Sequence, residues 1–325
     1  MSIKNIKKKY FNKKSFKKIK KFFSEKGLKS LLIFLVIIAS FLSGILFDKV
    51  TILKNAENIK NTEVLENNKQ TEDLTRLQDK VLKENYVFKI KWGDLGKRMV
   101  EDGVIDKEKF AQAITGENQL PKDLDKYFSD GQDKIEINPQ NAQFWVDILW
   151  GLGLANKNRI LEEGAMKQNG DTSNFASTGG WTLGPEDPMS IYSRYSYINL
   201  SQREQEIVEE IAGNIYRPCC GNSTAFPDCN HGMAMLGLIE LMVSQGFSKD
   251  EIYKTALAFN TYWFPNTYLN TAYYLDINGK DYNKISPKEI LSENFSSAMG
   301  AQAIAKESEG VEWPALQSSG GSCGA

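Results

Sequence analysis

His231–Gln245 reads HGMAMLGLIELMVSQ, fifteen residues whose only carboxylate is Glu240. A stretch that is apolar nearly all round predicts a helix buried at the centre of a larger domain, because a helix laid on a surface keeps one polar face. Its neighbours carry helical signals too. Ser201-x-x-Glu204, Ser248-x-x-Glu251 and Ser286-Pro287-x-Glu289 fit the capping-box pattern, in which a hydroxyl and a carboxylate satisfy the first free N–H groups of a helix. They predict helices that include 201–216 and, after Cys229, roughly 230–245. Asp106 reads as another cap. Asn138-Pro139 reads as an N-cap followed by proline at the first helical position, opening an apolar run through Phe144, Trp145, Ile148 and Leu149.

Strand-type alternation is scarce, with Val87-Phe88-Lys89-Ile90 the one short candidate. The expectation is a mainly α fold, a multi-helix bundle over residues 86–317 with little or no β. A long ordered loop interrupts it between roughly 166 and 200, rich in Ser, Thr, Gly, Pro and aromatics. There Trp181, beside Gly179 and Gly180, either pins the loop to the core or closes over a site.

The N-terminal part has a different composition. Residues 1–30 hold twelve lysines and one acid, Glu25, and residues 31–47 read LLIFLVIIASFLSGILF without a charge or a proline. Seventeen residues at about 1.5 Å each give about 25 Å of helix, at the short end of the spanning range. With lysines before the apolar run, the positive-inside rule predicts a cytoplasmic N-terminus and export of the chain from residue 48 onward. Ile38-Ala39-Ser40 is a poor cleavage site, so the run reads as a single-pass signal anchor in the cell membrane. Residues 48–85 are polar, without aromatics or glycine, and read as a helical or disordered stalk in which Leu74, Leu77 and Val81 have a brief heptad-like spacing. Residues 318–325, with Cys323, read as a flexible tail.

Beyond residue 30 the chain has 28 Lys+Arg against 40 Asp+Glu, a formal charge of −12. So acidic a surface excludes a nucleic-acid partner, which needs basic groups for its phosphates. No phosphate loop is present, and Gly151-x-Gly153 follows a helical pattern rather than a strand, so no nucleotide site is expected.

The residues with chemical potential are concentrated. Cys219, Cys220 and Cys229 fall within eleven positions of one another, and the chain's only histidine, His231, is two residues further on. Cys229 and His231 sit at the start of the apolar helix, with Asp228 or Asn230 expected as its cap. Free N–H groups and the positive end of the helix dipole favour a thiolate there. A thiolate is a metal ligand and a redox nucleophile, and imidazole is a borderline ligand.

Three readings fit these residues. The first is a metal site of Cys219, Cys220, Cys229 and His231, with Cys323 as an extra ligand, suited to zinc or to copper(I). Met233 and Met235 could add thioethers for copper, although methionines on such a helix are usually core. The second is thiol–disulfide exchange on an exported protein partner, with Cys229 attacking and Cys219 or Cys220 resolving. The third is a disulfide-stapled binding or scaffold domain without chemistry of its own. Whether the protein is an enzyme stays open among them.

The segment Cys219–Phe264 resembles, in part, the cytochrome c maturation thiol proteins, which join a membrane anchor, a cysteine motif and a small helical bundle. The likeness rests on the cysteines and on Gln245-Gly246-Phe247-Ser248-Lys249-Asp250-Glu251-Ile252, and it departs from that family's C-x-x-C. Pro218-Cys219-Cys220-Gly221 is similar to a shortened form of the Pro-Cys-rich motif of a family of exported proteins of unknown function. Asn230 separates Cys229 from His231, so no Cys-His dipeptide for haem attachment exists.

Overall fold

A computed structural model of the protein describes residue 18, residues 25–314 and residue 316. Most of the lysine-rich segment and the tail with Cys323 lie outside the described residues. The chain divides into two compact units at Gln70 and Thr71.

In the first unit a long helix, α1 (Glu25–Val81), begins; it runs on into the second. Its stretch Lys26–Asn55 has a mean hydropathy of 2.7, is nowhere buried, and is the one segment among the described residues long and apolar enough to cross a membrane. Ser40, Ser43 and Thr51 donate their hydroxyls to the carbonyls four residues back, so these polar groups are satisfied within the helix.

The second unit is mainly helical. After α1 come β1 (Tyr86–Phe88), α2 (Leu95–Glu101), α3 (Lys107–Thr115), α4 (Lys122–Asp125) and β2 (Ile135–Ile137). The strands pair antiparallel, Val87 opposite Glu136, and are the only sheet among the described residues. There follow α5 (Ala142–Ala155), α6 (Arg159–Glu163), α7 (Ala165–Gln168), α8 (Gln202–Gly213), α9 (Asn230–Ser244) and α10 (Lys249–Trp263). The last are α11 (Pro265–Ile277), α12 (Pro287–Ile290), α13 (Glu293–Ser296) and α14 (Ala298–Glu307).

The apolar stretch that begins at His231 forms α9, buried along its length and packed chiefly on α5. Glycine sets how closely the two approach. A Cβ on Gly153 would overlap the Met233 carbonyl oxygen, and one on Gly237 would lie 2.7 Å from the Leu149 carbonyl. Gly151-x-Gly153 is thus a packing motif: Gly153 admits the α9 backbone, and Gly151 lies under the Trp181 ring. Trp181 itself is buried, donates to the Val104 carbonyl (3.1 Å) and packs edge-on against Trp150, pinning the long loop to the core.

Ser201 and Ser248 form complete capping boxes, and Asp106 caps α3 through the N–H groups of Glu108 and Lys109. Two expected caps move. Asn138 does not open α5: its side chain accepts from the N–H groups of Gln140 and Asn141, closing a turn that holds Pro139, and the helix begins at Ala142. At α9 the cap is neither Asp228 nor Asn230 but Cys229, whose sulfur accepts from the Gly232 N–H (3.3 Å). Asp228 is engaged elsewhere.

A second, smaller core gathers Leu74, Leu77 and Val81 of α1 with Tyr268, Leu269 and Trp313, so the end of α1 packs into this unit.

Candidate metal centre

The loop between α8 and α9 is shaped by backbone pairing before any side chain acts. Thr224 donates to the Ile215 carbonyl (2.8 Å), Tyr216 bridges Ser223, and Cys220 donates to the Arg217 carbonyl (3.1 Å). These bonds place Cys219 and Cys220 at the tip of a tight return. The far side is tied down by the Ala298 N–H at the start of α14, which donates to the Cys220 carbonyl (2.8 Å).

Arg217 holds the loop from within. Its side chain is wholly buried and its guanidinium donates to the Asn222 carbonyl (2.8 Å), to Asp228 (2.8 Å) and to the Cys229 sulfur (3.5 Å). The other Asp228 oxygen accepts from the Asn222 side chain (2.8 Å), which explains why Asp228 does not cap α9. Gly232 makes room: a Cβ there would lie 2.7 Å from the guanidinium carbon. Sequence reasoning missed Arg217 and Gly232. The available signal was an arginine directly before Pro-Cys-Cys, in a segment whose apolar neighbours imply burial.

Three sulfurs meet above this arginine. Cys219 lies 3.4 Å from Cys229 and 3.4 Å from Cys220, sulfur to sulfur, and all three are free thiols. These are thiol hydrogen bonds, well beyond the roughly 2.05 Å of a disulfide. The Cys229 thiol is held well below the usual thiol range by hydrogen bonds from Cys219 and Cys220, by the Arg217 charge and by the Gly232 N–H, against the opposing effect of burial. Cys219 is pushed up by its bonds to Cys220 and Cys229 and by burial. Cys220, lowered by its bond to Cys219 but raised more by Cys229 and by burial, ends at about 12. Of the three sulfurs, the surroundings therefore favour the thiolate at Cys229 and the thiol at Cys219 and Cys220.

His231 is buried, its ring 4.5 Å from that of Phe264 and 5.7 Å from Trp263. Burial, with the Arg217 charge adding to it and the Cys229 thiolate opposing it, lowers its pKa to about 4, so the imidazole is neutral and its lone pair is available.

One donor atom each from Cys219, Cys229 and His231 lies within 4.8 Å of the others, an arrangement that could hold a metal ion. Two ligands about 2.3 Å from a tetrahedral ion are about 3.8 Å apart. The sulfurs, at 3.4 Å, need to part only slightly to admit one. Cys220 falls into a second, overlapping group with Asp228 and Cys229, in which Asp228 is already committed to Arg217 and Asn222. Met233 and Met235 are fully buried in the core, as methionines on a central helix usually are.

Compared with protein-family models, curated proteins and solved structures, the chain finds no match.

Proposed function

We propose that the protein is a single-pass membrane protein whose exported helical domain binds one zinc(II) or copper(I) ion through Cys219, Cys229 and His231. The observation that carries this is the convergence of two sulfurs and one imidazole within 4.8 Å, beside an arginine that donates to the Cys229 sulfur. Three protein ligands leave a fourth position for water, for Cys220 or for Cys323 of the tail. Thiolate and imidazole are the donors that select zinc and copper over magnesium or calcium. The lysine-rich start and the apolar stretch support the orientation, with the cysteines outside the cytoplasm.

The test is native mass spectrometry of the full chain in detergent, purified without chelator. One bound ion is expected, lost in both Cys229→Ser and His231→Ala. An ion retained in His231→Ala would remove the histidine from the site, and none in the wild type after reconstitution with either metal would end the metal reading.

The 3.4 Å contact between Cys219 and Cys229 supports a second reading, thiol–disulfide exchange with an exported protein. The Cys229 thiolate would attack a partner's disulfide, releasing one partner thiolate and forming a mixed disulfide. Cys219 would then displace the second partner sulfur, closing Cys219–Cys229 and leaving the partner reduced. In that case turnover is lost in Cys229→Ser but persists in His231→Ala.

A further inference from the structure

Against α10 lies a cavity of about 190 Å³ that shares no lining residue with the cysteine cluster. Three lysines line it: Lys80 on α1, Lys83 just beyond that helix, and Lys254 on α10. Such a gathering is unexpected in a chain that carries a charge of −12 beyond residue 30. The only carboxylate paired with any of them among the described residues is Asp281, 3.8 Å from Lys80. Lys83 sits 5.1 Å over the Tyr86 ring, and Lys254 forms no ion pair among the described residues.

The rest of the wall is of two kinds. Leu257, Ile285 and Ile290 make it apolar. Tyr282, also in the wall, has a buried hydroxyl with no hydrogen-bond partner, a costly state for a phenol unless something supplies an acceptor. The neighbouring Thr261, whose hydroxyl donates to the Leu257 carbonyl (2.7 Å), interacts with the Tyr282 hydroxyl without reaching hydrogen-bond geometry.

We infer that this cavity is a binding site for a small anion with an apolar body, a carboxylate or phosphate monoester on a short hydrocarbon. The lysines would take the charge, the aliphatic wall the chain, and the Tyr282 hydroxyl an oxygen of the head. Size limits the ligand, since drug-sized molecules occupy about 300–1,000 Å³.

The test is isothermal titration calorimetry on the full chain in phosphatidylcholine nanodiscs, with hexanoate, hexyl phosphate, hexanol and inorganic phosphate as probes. One or both amphiphilic anions should bind saturably with a stoichiometry of one, and their ranking tells a carboxylate site from a phosphate site. Hexanol should bind at least about tenfold more weakly, the scale of one lost charged hydrogen bond, and inorganic phosphate at least about tenfold more weakly, the scale of two buried methylenes lost with the chain. Lys254→Met, a change at an exposed position that leaves the core intact, should weaken the anion about tenfold, Tyr282→Phe should weaken it severalfold, and Cys219→Ser should change nothing. Absence of saturable binding by either anion would overturn the inference, as would equal affinities in the wild type and Lys254→Met.

Discussion

At the scale of single residues, Arg217 and His231 decide what the cysteines can do. Arg217 is a buried cation with the Asp228 carboxylate and the Cys229 sulfur beside it. Arg217→Met should therefore act twice. It leaves Asp228 without its cation, at a cost of about 3 kcal/mol. It also withdraws one of the groups that hold Cys229 ionised, so the pH at which Cys229 becomes alkylable should rise. Peptide-resolved alkylation rates across pH, beside a denaturation curve, check both. His231 gives a pH dependence of definite sign. Its pKa falls from about 6.5 in the unfolded chain to about 4 in the fold, so the unfolded state binds more protons in acid. The contribution is complete above about pH 6.5 and is lost as pH falls through about 4, to about 3 kcal/mol. Comparing the stability of the metal-free wild type with that of His231→Gln between these pH values should show this acid limb only in the wild type.

At the scale of elements, the sequence announced α9 but not how it is held. Its apolar character is a matter of composition and needs no tertiary information. The capping boxes of α8 and α10 are local too, which is why they were legible. What escaped depended on partners far along the chain. Cys229 caps α9 because Arg217 and Asn222 have claimed Asp228, and no spacing rule reports that competition. Gly151-x-Gly153 was recognisable as not a nucleotide loop, yet its purpose emerges only with α9 lying against it. Gly153→Ala should cost about 1–3 kcal/mol, because the methyl meets backbone that cannot rotate away. A chemical denaturation midpoint measures this, and an unchanged midpoint would mean that the helices can separate freely. Glu240 fixes the same helix along a second direction. Its oxygens accept from the side chains of Asn156 (2.7 Å) and Asn158 (2.5 Å). Those amides are locked in orientation, since their own oxygens accept from the N–H groups of Ile198 and Ile160. Glu240→Gln sets a donor against a donor and should cost about 1–3 kcal/mol in the same assay, despite being nearly isosteric.

At the scale of the whole chain, the question is where the independently folded part begins. Composition places the change at Tyr86, where aromatic residues return. Contacts place it at Thr71, because Leu74, Leu77 and Val81 are buried against Tyr268, Leu269 and Trp313. The heptad-like spacing of those three residues was visible in the sequence, but it serves a neighbour within the same chain, which a repeat pattern alone does not identify. Two truncations separate the alternatives. Removing residues 1–70 deletes the membrane-length stretch and, among the described residues, no buried side chain, so the remainder should be soluble without detergent, with the thermal midpoint of the helical unit in the full chain. Removing residues 1–85 also strips three aliphatic side chains, each worth about 1.5–3 kcal/mol on burial, and uncovers the core next to Tyr268. That fragment should melt lower by differential scanning calorimetry and bind a dye for exposed apolar surface. The same deletion takes away Lys80, Val81 and Lys83 from the lysine-lined cavity while leaving the loop that carries Cys219, Cys220 and Cys229. A fragment of residues 86–325 that matched the longer one in midpoint and dye binding would show that the end of α1 is an accessory to this fold, not part of its core.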